Sequence, residues 1–547
     1  MIDELKLDKF ICVCNYLMHA DRCDEMTIKP DAVIIGAGHN SLACACHLAS
    51  RGWKVALYEQ ASKPGGAVKT GEYTLPGFRH DWAAMNLSLF AGSAFHSEKA
   101  EELAKYGLAF APTGNPFASV FPDGRWLGIS NDTNLTTARV RGFSTADAET
   151  WQALTQDFPN QAESIFSVLG SAMNLRAISS LGWKTWRKRG GGGSLDLARF
   201  LMMSPRAWLD QTFENDQVKA TLAAWGMHLD FAPDVAGGAV FPYLEAMAGQ
   251  AFGMVLGQGG ADTITRAMVK MIEARGGAVH CNAKVTGIKQ AAGRAFGIIL
   301  ADGTLVEAEK AVIANVSPAA LVKLTGGTGN AQHQTAMETY QYAPGTMMIH
   351  LAMDALPNWS AAELKRFAYV HMAPSMDQMA RTYQQAKAGL LPDEPVIVCG
   401  QPTVVDPSRA PAGKHVLWLQ VRMAPGQIKG DAKGEITATD WAEAAEPFAN
   451  RALDILERYA PGTRAHILGQ HIVTPDMLEA DNPNLVGGDQ VCGSHHLHQH
   501  FMNRPARGYA DGTTPIKNLY HTGAAVWPGA GTGAGSGTLL AKKLVGN

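Results

Sequence analysis

Asp31-Ala-Val-Ile-Ile35, Gly36-Ala-Gly-His-Asn-Ser41, Leu42 to Ser50, Lys54-Val-Ala-Leu-Tyr58 and Glu59 follow one another in this chain. They read as a strand, a glycine turn, a helix, a second strand and an acid. That order builds a site for an ADP moiety out of backbone geometry. Glycines at 36 and 38 let the chain turn sharply and let a pyrophosphate approach the backbone. The helix opening at His39 and Asn40 offers free N–H groups and a partial positive charge. Glu59 stands about 20 positions after Gly38, where an acid takes ribose hydroxyls. Ser41 holds the position usually given to a third glycine, so a slight displacement of the helix is expected there. The alternative is an ordinary tight βα turn, which does not require an acid in register.

The acid favours an unphosphorylated ribose and leaves NAD and FAD open. Gln60-Ala-Ser-Lys-Pro64-Gly65-Gly66-Ala67-Val68-Lys69-Thr70 then places a paired-glycine turn directly after the acid. Such a turn suits the longer FAD, whose ribityl and flavin parts run back along the protein. Far downstream, Asn518-Leu-Tyr-His-Thr522 reads as a strand closed by Gly523 and Ala524. Pro528-Gly-Ala-Gly-Thr532-Gly533-Ala534-Gly-Ser-Gly537 follows and opens on an apolar helix from Thr538 to Leu544. A glycine loop at a helix N-terminus stabilises negative charge, as on a reduced flavin.

On these stretches the chain resembles the phytoene desaturase-like (carotenoid and retinoid) family of FAD-dependent oxidoreductases, distant relatives of the amine oxidases. Pro76-Gly-Phe-Arg-His-Asp81, Gly257-Gln-Gly-Gly260, Arg504-Pro505 and Thr514-Pro-Ile-Lys-Asn-Leu-Tyr520 also carry the likeness, which runs from about residue 28 onward. The resemblance implies an α/β protein: a discontinuous Rossmann-like FAD-binding domain with an α+β substrate domain. It implies FAD contacts at Gly36, Gly38, His39, Asn40, Ser41, Glu59, Gln60, Gly65, Gly66, Ala67, Thr70, Gly523, Ala524, Thr532, Gly533 and Ala534. It also puts the backbone of Val285 against the adenine and Asn315 to Pro318 near the cofactor.

The 547 residues point to two domains. We expect the FAD domain in residues 28–100, 255–330 and 480–547, the substrate domain in 101–254 and 331–479, and an extension or tail in 1–27. In the FAD domain, Ile264, Met268 and Met271 are expected on one helix face, followed by strands at 278–281, 284–288, 296–300 and 311–314. Tyr342 to Met353 and Val416 to Val421 alternate like strands that floor a pocket. Gly190 to Gly193 reads as a hinge or mobile loop.

Composition excludes some roles. A net charge of −3 with 18% charged residues gives no electrostatic case for nucleic acid. Eight cysteines include no Cys-x-x-Cys, and no redox pair follows the dinucleotide turn, which argues against a disulfide reductase. Cys44 and Cys46 are two apart on a helix and face different ways. Reduced, structural cysteines and the absence of a secretory signal or long apolar span suit the cytoplasm. Leu181-Gly-Trp-Lys-Thr-Trp-Arg-Lys-Arg189 resembles an interfacial anchor, and two readings stay open: peripheral membrane contact, and a solvated helix end with buried indoles, which is the favoured one.

His496, His498 and His500 would share a strand face, but no acid or cysteine completes a metal shell nearby, and no metal is expected. No general base can be named, so the catalytic residues stay open. No second dinucleotide turn is present, so electrons are expected to leave to oxygen, a quinone or another protein. The leading expectation is dehydrogenation of an apolar, isoprenoid-like molecule. Two alternatives stay open: an amine or alcohol oxidase, and a flavin-bearing subunit without turnover.

Overall fold

Ala32–Ile35 (β1) is a run of four apolar residues, and all four are buried. A strand apolar on both faces belongs inside a parallel sheet covered on both sides. The computed structural model, which describes residues 29–546, places it there. The extension expected at residues 1–27 lies outside the described residues. His39–Ser50 (α1) follows β1, then Val55–Tyr58 (β2). Two long helices come later, Thr145–Leu169 (α2) and Leu175–Met202 (α3). Thr263–Glu273 (α4), Ala278–His280 (β3), Ala311–Ala314 (β4), Leu519–His521 (β5) and Gly535–Val545 (α5) complete the set that frames the site.

The five strands form one parallel sheet in the order β5-β4-β1-β2-β3. Ala32 and Ile34 turn to one side, where α1, α4 and α5 pack with Leu42, Leu48, Ile264, Met268, Met271 and Leu540. Val33 and Ile35 turn to the other, toward a three-stranded antiparallel sheet of Val285–Ala291, Arg294–Leu300 and Leu305–Glu307. This alternation is the two-residue period of a strand. The sheet is therefore assembled from three stretches of chain, residues 32–58, 278–314 and 519–521.

A second sheet has seven strands. In order they are 467–473, 345–353, 415–424, 396–400, 369–372, 117–120 and 126–129. Ile349, Leu351, Leu419 and Val421 face the amphipathic helix Trp441–Tyr459 on one side. The opposite face carries Met348, Trp418, Val398, Tyr369 and Phe117, in one apolar cluster with Trp82 and Met85. The two segments expected to alternate, at 342–353 and 416–421, are central neighbours in this sheet and pair antiparallel, His350 opposite Trp418.

The Gly190 to Gly193 stretch is not a loop. Only Gly190 leaves helical geometry, at φ 69, and the helix resumes to Met202. Arg189 is tied to α2 through the Ser164 hydroxyl (2.8 Å) and the Gln161 carbonyl (3.0 Å), which anchors the break. No helix among the described residues is long and apolar enough to cross a membrane.

Candidate active site

The turn after β1 is held from three sides. Gly36, at φ 83, donates its N–H to the Tyr58 carbonyl at 2.8 Å. Ala37 donates to Glu59 Oε2 at 2.8 Å, and Ala61 to Glu59 Oε1 at 2.9 Å. Gly65 donates to the Ala37 carbonyl at 2.9 Å, so the second glycine turn lies directly on the first. A Cβ on Gly66 would stand 3.3 Å from the Gly38 Cα, which fixes the need for a bare backbone there. Asn282 and Ala283 donate to the Ala61 and Glu59 carbonyls, bringing the chain leading to Val285 alongside the acid. Val285 is partly buried in the same cluster as Tyr58, whereas Gln60 is exposed.

Ser41 fills the third glycine position by making a bond of its own. Its hydroxyl accepts from Asn315 Nδ2 at 2.8 Å, tying α1 to the end of β4. The close helix approach has moved elsewhere: a Cβ on Gly537 would sit 2.0 Å from the Asn40 carbonyl oxygen. Thus α5, not β1, is the element that α1 touches through a glycine. Ser536 seals this contact, donating to Asn40 Oδ1 (3.1 Å) or to the Gly523 carbonyl (2.9 Å) and accepting from the Gly523 N–H (3.0 Å). Gly523, at φ 111, lies so near Asn315 that a Cβ would meet Oδ1 at 2.2 Å. Replacing Gly537 by Ala is expected to destabilise the protein by about 1–3 kcal/mol and lower the flavin-to-protein absorbance ratio. Gly182→Ala on exposed helix surface, with open space for the Cβ, should lower neither and raise stability by about 0.5–1 kcal/mol. Equal melting temperatures and flavin content in the two variants would count against this packing.

The remaining predicted residues fall along the same path. His39 Nε2 lies 3.1 Å from the Gly531 carbonyl, and burial holds the ring below its ordinary pKa, hence neutral. Ala67 accepts from the Ala84 N–H in the chain that runs back from Asp81. The Thr70 hydroxyl is spent on Asp81 Oδ1 at 2.7 Å. The Ala524 carbonyl accepts from Arg504 at 2.7 Å. Gly533 abuts the Leu89 carbonyl, Thr532 sits over the Asn86 carbonyl, and Ala534, at φ 56, begins α5.

These residues fit a dinucleotide in two respects. The N-termini of α1 and α5 converge through the Asn40 contacts, and neither has a side-chain cap. Serine, asparagine or aspartate caps α2, α3 and the helix at 441–459. Several other helices, α4 among them, also lack such a cap, but at α1 and α5 two open ends adjoin beside the glycine turn, where an anion can be received. The glycine surfaces of residues 36–38 and 65–66 also leave backbone where side chains would block a ligand.

Residues 42–438 match the family described as flavin containing amine oxidoreductase. The chain belongs to that family. Pyridine nucleotide-disulfide oxidoreductase domain-containing protein 2 of Rattus norvegicus is 28% identical, with 93% of this chain and 92% of that protein covered. All-trans-zeta-carotene desaturase of Myxococcus xanthus is 26% identical over 91% of this chain and 90% of its own length. Cyclohexylamine oxidase from Brevibacterium oxydans shares the fold, with a TM-score of 0.58 at 16% identity over 94% of this chain and 99% of that one. This flavin containing amine oxidoreductase family member is accordingly an FAD-dependent oxidoreductase, and the expected resemblance and fold class hold.

Sequence reasoning missed a buried ion pair in this family member, which joins the chain at 80–81 to the connection between the strands at 396–400 and 415–424. Asp81 and Arg409 form an ion pair with no solvent exposure of either side chain. Asp81 Oδ1 also accepts from Ala261 N–H at 2.7 Å. Arg409 donates to the Gly257 carbonyl at 2.7 Å, and Asp406, beside it, accepts from Gly259 N–H at 2.6 Å. The conspicuous Gly257-Gln-Gly-Gly260 turn is thus the part gripped by this network. Its only sequence signal was a lone acid after His80.

The inner face of the seven-stranded sheet combines apolar bulk with unspent hydrogen-bonding groups. Both ring nitrogens of His350 and the indole N–H groups of Trp82 and Trp418 are buried without a protein partner. Burial pushes His80 and His371 down to about 3 and His350 well below the ordinary histidine value, so these rings are neutral. Arg422, also on this face, donates to the Met227 and His228 carbonyls and to the Thr346 hydroxyl, with no carboxylate within salt-bridge distance among the described residues. The 496–500 segment is not a strand: Leu497–Gln499 and Phe501–Asn503 are single 3₁₀ turns. No metal-binding group of histidine, cysteine, aspartate and glutamate occurs among the described residues. His496 instead meets Asp230 at 3.1 Å, and His495 Nε2 accepts from Ala530 N–H at 3.1 Å beside the C-terminal glycine loop.

Proposed function

We propose that this protein dehydrogenates an apolar, isoprenoid-like small molecule held between the flavin domain and the inner face of the seven-stranded sheet. The observation that carries the reading is the character of that face. Met348, Val398, Trp418, Tyr369 and Phe117 supply apolar and aromatic surface, and the histidines among them are uncharged. The cation on that face, Arg422, is spent on two backbone carbonyls and a hydroxyl and forms no salt bridge with a carboxylate among the described residues. The carotene desaturase relative, aligned along almost its whole length, supports the same substrate class.

In this reading Gly36, Gly38 and the first turn of α1 receive the pyrophosphate. Glu59 takes the ribose, because two of its roughly four acceptor sites remain free after the Ala37 and Ala61 bonds. Residues 65–70 flank the ribityl and flavin parts, Val285 backs the adenine, and 523–534 close over the pyrimidine end. Bound FAD supplies the two-electron acceptor. The sheet face and Trp82 orient the substrate and exclude water. Electrons leave to oxygen, a quinone or another protein, since the chain carries no second dinucleotide turn. The protein works in the cytoplasm, touching membranes peripherally.

The test is an anaerobic titration of the flavin band with isoprenoid hydrocarbons and alcohols, amines, and NADPH. Bleaching by an isoprenoid is expected. Bleaching by amines alone moves the protein to the oxidase class named by its structural neighbours, and no bleaching by any of them leaves a non-catalytic flavoprotein.

A further inference from the structure

The outer side of α3 carries a surface that nothing in the fold covers. Its inner side is accounted for: Ile178 and Leu181 pack toward Val168, Met173 and Trp527. The outer side exposes Leu175 at 83%, Trp183 at 59% and Trp186 at 51%. At 100° per residue, positions 175, 179, 182, 183 and 186 share one arc of about a quarter-turn. The two indoles stack on each other, with centroids 5.0 Å apart and planes at 27°. Indoles this large are rarely left in water without a partner.

The charge around them has one sign. From Leu175 to Gly190 the helix contains five cations, Arg176, Lys184, Arg187, Lys188 and Arg189, and no acid. Lys188 is bridged to Glu163 at 2.6 Å and Arg189 is tied inward to α2. Arg176, Lys184 and Arg187 remain exposed on the indole-bearing half-helix. Stacked indoles flanked by free cations match a polar-apolar boundary of negative charge.

We infer that α3 docks this protein on the surface of an anionic lipid bilayer, with Trp183 and Trp186 at the headgroup level and Arg176 and Arg187, which the helix turns to the same side, on the anionic lipids. The docking helix is coupled to the cofactor loop: the Trp527 indole N–H donates to the Ser171 carbonyl, just before α3, at 2.8 Å. Trp527 leads into the glycine loop that opens α5. A bilayer beneath α3 therefore adjoins the flavin side of the molecule, and its use as the source of substrate rests on the isoprenoid reading above.

The test uses FAD-loaded protein sedimented with phosphatidylcholine vesicles, with and without phosphatidylserine. Binding is expected only to phosphatidylserine vesicles, weakening with salt and accompanied by a blue shift of tryptophan fluorescence. W183S/W186S should bind on the order of tenfold more weakly, and R176Q/R187Q about 25-fold more weakly, since each cation near such a surface contributes about fivefold. An unchanged flavin band in both variants shows that they are folded. Absence of vesicle binding, or binding that W183S/W186S leaves intact, overturns the proposal. So does a wild-type dimer that W183S/W186S dissociates, which makes the stripe a contact between copies. Vesicle binding requires no turnover, so failure of isoprenoids to bleach the flavin would leave this result standing, and the reverse.

Discussion

Replacing Arg409 by Met is expected to lower stability by about 3–5 kcal/mol and to strip the flavin from the purified protein. The Asp81 and Arg409 side chains are wholly excluded from solvent, so removing the cation leaves a carboxylate in the interior with nothing to neutralise it. The damage spreads because Asp81 also holds Thr70 and the Ala261 N–H, while Arg409 holds the Gly257 carbonyl. The chain at 70, the Gly257 to Ala261 turn and the connection carrying Asp406 converge on this pair. The double variant Asp81→Asn with Arg409→Met should recover part of the loss, because Asp406, which also pairs with Arg409, keeps its charge. It removes both charges, and the asparagine carbonyl still accepts from Thr70 and Ala261. Chemical denaturation of both variants, followed by far-ultraviolet circular dichroism and flavin absorbance, measures the effect. A single variant within about 1 kcal/mol of the natural protein would show that the pair is not a structural clasp.

A steep loss of stability between pH 6.5 and 5 is the second large effect. Six histidines, His80, His333, His350, His371, His495 and His521, are each no more than 2% exposed. Burial pushes His80 and His371 down to about 3, His333 and His521 to about 4, and His350 and His495 well below the ordinary value. The unfolded chain takes up protons on these rings below about pH 6.5, and the folded chain does not until far lower. The unfolded state then binds more protons, so stability rises with pH through this window and falls on acidification. At pH 5 each ring that stays neutral favours unfolding by about 2 kcal/mol. Two carboxyls act in the opposite sense. Burial raises Asp489 to about 6 and Glu245 to about 7, which together favours the folded state by about 4 kcal/mol on going from pH 7 to 5. Six rings outweigh two carboxyls. Melting curves at saturating FAD should show the midpoint falling steadily from pH 7 to 5, and a flat profile would mean that the rings protonate in place.

The part of the fold that could be read from sequence was the part written in neighbouring residues. β1, the glycine turn, α1, β2 and Glu59 lie within one short stretch, and the strand pairing, the turn and the acid's bonds to Ala37 and Ala61 are set within it. Ser41 marks where that reading ran out. A serine at a glycine position looks like a defect until Asn315 is found beside it, and the glycine that replaces its function is Gly537, on a helix at the other end of the chain. Asp81 and Arg409 illustrate the same limit, since 328 positions separate them and neither carries a pattern that names the other. Alternation misled at His496, His498 and His500, because spacing alone does not supply a neighbouring strand to bond with. Glycine content misled at residues 190–193, where packing against α2 keeps helix on both sides of a single break.

The parallel sheet has a consequence for how the protein is made. β1 and α1 emerge from the ribosome well before β5 and α5, which follow only once residues 519–545 have been added. Until then β4 lacks one neighbour, and the Asn40 end of α1 lacks the Gly537 contact that closes it. Closure of the sheet around β1 therefore waits on translation of residues 519–545. A ribosome that stalls within the final stretch releases a polypeptide with an open sheet edge and a bare helix face, the features that chaperones and proteases recognise. Quality control of this flavoprotein is thereby written into its topology: only a chain read through to α5 can close the turn on which the cofactor is expected to settle.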